Sequence, residues 1–75
     1  MKTEIMDVMC KTLTVEKDEL VEDKSLTDSI GVDSTEIVEL KVALEKKFSI
    51  KITDSEITKN STPLEIVALV EKKKS

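Results

Sequence analysis

Ser34 follows an acid, Asp33, and opens a run in which Ile37, Leu40, Ala43, Leu44 and Phe48 recur at helical spacing. A serine there stands in the first turn of a helix from about Ser34 to Phe48, where backbone N–H groups lack partners and the dipole is positive. A phosphate ester formed at its hydroxyl would gain about 0.3–1 kcal/mol from that dipole. On a helical wheel Ser34 lies off the apolar stripe, with Val38 and Lys41 on its side and Thr35 and Val42 farther round, so the hydroxyl should face water. Spacing alone favours an ordinary first-turn serine over a modified one.

Other chemistry is scarce. Histidine, arginine, tryptophan and tyrosine are absent, which removes Ser–His and Cys–His pairs and imidazole metal sites. Cys10 is the only cysteine; it excludes an internal disulfide and a cysteine zinc cluster and reads as a small helix residue beside the core. A chain of 75 residues has little volume in which to bury a carboxylate pair and shift its pKa. No enzyme activity and no metal are expected. A calcium loop starting at Asp23 fails on spacing, because Asp28 falls where the sharp turn needs glycine and Ser34 where a glutamate is needed.

The net charge of −4 is local: residues 16–28 hold six acids and two lysines, and elsewhere ten acids balance ten lysines. Without a basic stripe or stacking aromatics, a nucleic-acid partner is not expected. The Lys72-Lys73-Lys74 run reads as a solvated helix end suited to the negative end of the dipole. No apolar run approaches the roughly 20 residues that cross a bilayer, and no leader pattern precedes the first amphipathic stretch. A cytoplasmic protein without membrane insertion is expected.

Residues 1–75 should form one domain of the all-α class, with one glycine, one proline and one aromatic (Phe48). A first helix, about Thr3 to Leu13, carries Ile5, Val8, Met9, Thr12 and Leu13 on one face. Periodicity breaks between Thr14 and Asp33, predicting a long loop pinned by Val15, Leu20, Val21, Leu26 and Ile30, with a short helical turn near Lys17–Val21. The Ser34 helix is capped by Asp33, with Glu36 reaching back, and Gly31 before it marks a turn needing φ > 0. After an extended connector with Ile50 and Ile52, Thr53-Asp54-Ser55-Glu56 reads as a capping box for a short third helix, Asp54 to about Lys59, with Ile57 inward. Thr62-Pro63-Leu64-Glu65 opens a fourth helix to about Lys73 that buries Leu64, Ile66, Val67 and Val70. The expected architecture is a four-helix bundle with a long loop between helices 1 and 2 and a short third helix.

The string Gly31-Val32-Asp33-Ser34, continued by Glu36, Glu39-Leu40 and Ala43-Leu44-Glu45, resembles the signature of the acyl carrier protein family. The resemblance spans essentially the whole chain, through Phe48, Ile52 and the Thr-Pro start of the last helix. It implies that Ser34, beside Asp33, receives 4′-phosphopantetheine from coenzyme A through a magnesium-dependent phosphopantetheinyl transferase. The arm's thiol would then carry an acyl group as a thioester, so the nucleophile belongs to the cofactor and the protein positions it. The carrier, expected to be a monomer, would deliver its cargo to acyl-processing enzymes of fatty-acid, polyketide or related biosynthesis. Docking would use Thr35, Glu36, Val38, Glu39, Val42 and Glu45, whose acids, with Asp33, can meet a basic patch on a partner. Ile37, Leu44 and Ile52 could line an acyl pocket, although core packing explains them equally well.

Three departures stand out. Ser29 and Ile30 replace an Asp and Leu of the family pattern before Gly31; Thr35 follows the serine where Leu or Met is usual; and Lys41, Lys46 and Lys47 leave residues 33–48 with four acids against three lysines. Thr35 and the softened acidity motivate a rival reading, a helical interaction module of the same fold that never carries an arm.

Overall fold

The computed structural model describes residues 2–74. Among these residues there are four α-helices and no strand: α1 (Lys2–Leu13), α2 (Leu26–Ile30), α3 (Ser34–Phe48) and α4 (Pro63–Lys74), with one 3-10 turn at Lys17–Glu19. The all-α class and the bounds of the long helices follow the apolar periodicity. α1 buries Ile5, Met9 and Leu13, while α3 buries Ile37, Leu40, Leu44 and Phe48. α1 packs against both α3 and α4, and α3 against α4. Leu26 of α2 and Leu20, Val32, Ile52 and Ile57 of the connections complete the core.

Three helices end on a left-handed residue, which lets the following N–H groups reach back to the last carbonyls. Gly31 (φ 68°) ends α2, its N–H donating to the carbonyls of Leu26 and Thr27. Thr14 (φ 57°) and Ser49 (φ 55°) do the same after α1 and α3, although neither is glycine. The N–H of Val15 donates to Cys10 O at 3.0 Å and that of Ile50 to Glu45 O at 3.2 Å.

The loop between α1 and α3 is pinned as its scattered apolar residues suggested. Leu20 and Leu26 are buried, and Val15 and Ile30 pack partly against the core. Val21 instead is exposed. Ser25 caps α2 by accepting from Asp28 N–H. Ion pairs Lys2–Glu22 (2.9 Å) and Lys17–Asp7 (2.8 Å) tie the loop to α1.

Two further expectations are corrected. Residues 54–59 form turns instead of a short helix, and the one short helix, α2, lies before the Ser34 helix. Half of the Thr53 capping box forms, with Thr53 N–H donating to Glu56 Oε1 at 2.8 Å. The Thr53 hydroxyl turns to Ser55 Oγ, and the N–H groups of Thr58 and Asn60 bond to the side chains of Ser61 and Thr58. Such local side-chain bonds offer the backbone an alternative to helix. The carbonyls of Lys59 and Ser61 are taken by the N–H groups of Thr27 and Leu26, which lock the turn onto α2. The second correction is Leu64, which is exposed. Pro63, Ile66, Val67 and Val70 form the i, i+3, i+4, i+7 stripe that α4 buries, and Leu64 falls one step outside it.

Glu56 fastens the turn to α4, with Lys73 Nζ 3.0 Å from its Oε2. The Thr53 N–H, then Lys73, hold the Glu56 carboxyl below its ordinary range. A carboxyl lowered in the folded state stabilises the protein above its unfolded pKa, and that contribution is lost as pH falls through the lowered folded value. Thermal melts should therefore show wild type losing more stability than Glu56→Gln as pH drops below about 4.5; parallel curves would contradict the linkage.

At Gly31 an added Cβ would meet nothing within 4 Å, so only the backbone conformation resists substitution. Gly31→Ala should cost about 1–2 kcal/mol, the penalty for a left-handed L-residue, and Gly31→Asn less. Urea melts of the two variants check the order.

Candidate functional site

The site is built at the junction of α2 and α3. Gly31 ends one helix, Val32 is buried, and Asp33 takes extended angles (φ −108°, ψ 179°) as N-cap of the next. Glu36 N–H donates to Asp33 Oδ1 at 2.9 Å, and Asp33 N–H to Glu36 Oε1 at 3.2 Å. This reciprocal box satisfies two donors the helix start would leave open. Val32 and Ile37, both buried, occupy the positions of a hydrophobic staple across it. Ser34 is therefore fixed as the first residue of α3, and it is exposed.

Beside Ser34 lies a groove of about 240 Å³ lined by Ser34, Ile37, Asp54, Ile57, Thr58 and Lys59. The Lys41 ammonium pairs with Asp54 and holds its carboxyl below the ordinary range. Thr27 keeps the wall in place: its N–H and its hydroxyl both donate to Lys59 O, at 3.0 and 2.9 Å.

The other residues singled out in the sequence divide into two sets. Thr35, Val38, Glu39 and Val42 are exposed on α3. Glu36 and Glu45 are half-buried and engaged, Glu36 in the cap and Glu45 through Oε2, which accepts Ile52 N–H at 2.9 Å. Ile37 lines the groove, whereas Leu44 and Ile52 lie in the core and do not line it. Asp54, Ile57, Thr58 and Lys59 were not singled out for the site; their place comes from the turn that replaces a helix. Lys41, on the Ser34 side of α3 and one of its three lysines, is neutralised by Asp54. Cys10 is half-buried against the core, and burial pushes its thiol pKa up, partly offset by Lys17. Among the described residues no group of three or more His, Cys, Asp or Glu is placed to hold a metal ion, and no helix is long and apolar enough to cross a membrane.

The fold and site define a small all-α protein that presents an exposed hydroxyl at the tip of a capped helix. Comparison with known proteins supplies the particular family. Residues 3–70 match the family model described as phosphopantetheine attachment site. The chain is 37% identical over 71 residues to an acyl carrier protein of Wolinella succinogenes, covering 95% of this chain and 93% of that one. It is 38% identical over 68 residues to one of Campylobacter hominis (91% and 86% covered) and 31% identical over 71 residues to one of Thermotoga maritima (95% and 88% covered). The chain belongs to the phosphopantetheine attachment site family. It is a carrier and not an enzyme, and its cofactor is covalent 4′-phosphopantetheine. An exposed serine at the positive end of a capped 15-residue helix fits that group, because the dipole and open N–H groups favour a phosphodiester.

Asp33→Ala should cost about 1 kcal/mol by removing the cap. Amide exchange should then rise at Glu36, whose N–H loses its partner. Unchanged protection there would show that the box does not hold the helix start.

Proposed function

We propose that Ser34 is the attachment residue and that the chain carries acyl intermediates as thioesters on the arm. The exposed position of Ser34 at the tip of α3 supports this most directly. Asp33 acts as a positioning residue, since its carboxylate sets the helix start. The bound cofactor supplies the thiol; the chain's own residues supply a fixed, accessible anchor and a surface. Tethering raises the effective concentration of the cargo at a partner's active site, as in other linked modules.

We also propose that a phosphopantetheinyl transferase and acyl-processing enzymes dock on α3 over Thr35, Val38, Glu39 and Val42. Val38, 52% exposed, and Val42, 39% exposed, offer apolar contact, and Glu39 offers charge for a basic patch. Glu36 adds to the local negative potential from within the cap, and Glu45 serves the fold more than the interface. This reading places the carrier in the cytoplasm with coenzyme A and works as a monomer.

Incubation with a phosphopantetheinyl transferase, coenzyme A and magnesium should add one phosphopantetheine mass to wild type and nothing to Ser34→Ala. An unmodified wild type, under conditions that convert a control carrier, would overturn the assignment of Ser34.

A further inference from the structure

Ser34, Ile37, Lys41 and Leu44 follow one another at spacings of three, four and three on α3, so they form a single ridge of neighbours. Ile37 and Leu44 are buried, and Lys41 stands between them. The Lys41 side chain keeps only 15% of its exposure while its partner Asp54 keeps 94%. The stem therefore lies against the protein, with the ammonium reaching out to the turn that walls the Ser34 groove. Asp54 belongs both to that ion pair and to the groove lining.

A chain entering beside Ser34 meets Ile37 and Ile57 as apolar surface, with Asp54, Thr58 and Lys59 around it. To go farther along α3 toward Leu44 and Ile52 it must displace the Lys41 stem. It must also part the ammonium from Asp54, whose side chain is 94% exposed, and leave the Lys41 amine facing hydrocarbon without its partner, which costs desolvation. The groove short of that barrier, about 240 Å³, falls below the roughly 300–1,000 Å³ typical of ligand pockets.

We infer that Lys41 is the residue that sets cargo class: paired with Asp54, it bars long alkyl chains from the interior and suits the carrier to short, polar acyl groups held in solvent on the arm that Ser34 bears. This inference rests on Ser34 carrying the arm. With Lys41 in place, a long saturated chain gains no shelter, while a short acyl group bearing hydroxyl, amino or carboxyl atoms keeps its hydration beside Thr58 and Lys59.

The test loads wild type and Lys41→Ala from acetyl- and octanoyl-coenzyme A with a permissive transferase. Intact mass of the products reads the attachment step separately: absence of any addition overturns the assignment of Ser34, not the role of Lys41. On loaded protein, acetyl and octanoyl forms of wild type should melt together, and hydroxylamine should cleave their thioesters at equal rates. In Lys41→Ala the octanoyl form should melt higher than the acetyl form by about 4 °C or more, a shift readily resolved for a domain of this size, and its thioester should be cleaved several-fold more slowly. Lys41→Val, which retains a branched apolar side chain on the helix, takes its place should the alanine variant melt too low. Octanoyl stabilisation of wild type equal to that of the variant would overturn the inference. So would an absence of stabilisation in both variants, because Lys41 would then not be the barrier.

Discussion

The abrupt start of α3 is the constraint from which the rest of the site follows. Successive α3 residues stand about 100° apart, so the buried stripe decides which way Ser34 faces, and Ser34 stands at the helix tip only if Asp33 is fixed as the cap. Two exchanges of side-chain and backbone bonds between Asp33 and Glu36 do this from within the chain, and buried Val32 and Ile37 do it from the core side. Gly31 completes the arrangement, since its left-handed conformation ends α2 and turns the chain in three residues. Each part is weak alone, on the order of 1 kcal/mol, yet all specify the same register.

That register separates two faces with different demands. The buried face of α3 holds Leu40 and Leu44, both fully enclosed, and ties the bundle together. The outer face holds Thr35, Val38, Glu39 and Val42, all of them exposed. A carrier has to be recognised by other proteins while doing no chemistry itself, and an exposed helix face beside Ser34 is compatible with that requirement. Glu45 shows how the division is kept: its carboxylate is spent on the Ile52 N–H, fixing the connector under the end of the helix.

Most of this was legible because it depends on local rules. The period of Ile37, Leu40, Leu44 and Phe48, the Asp33–Glu36 pair, the Thr62-Pro63 start of α4 and the single glycine each carry their own physical reason, and each is found where those reasons put it. Thr53-Asp54-Ser55-Glu56 carries the same cap pattern and forms no helix. The difference lies outside the segment: Leu26 and Thr27, more than thirty residues earlier, take the Lys59 and Ser61 carbonyls, and the hydroxyls of Thr58 and Ser61 take nearby N–H groups. Local pattern cannot report a competition settled by a distant loop. The groove beside Ser34 is not legible in the sequence for the same reason, since its far wall is that turn.

Lys41 illustrates what a residue of one α3 face can do when its partner comes from elsewhere. By sequence it counts as one of three lysines that soften an acidic helix, an effect on long-range attraction that salt would screen. In the folded chain its ammonium is already neutralised by Asp54, so it contributes little to the field of the outer face, and its stem covers the ridge between Ile37 and Leu44. Lys46 and Lys47, exposed in the last turn, remain to temper the acids and to suit the negative end of the helix dipole. The attraction of α3 for a basic surface is therefore graded along its length: it is strongest near Ser34, where Asp33, Glu36 and Glu39 cluster, and it fades toward the lysines. A partner drawn to this helix by charge is thus drawn to the end that carries Ser34.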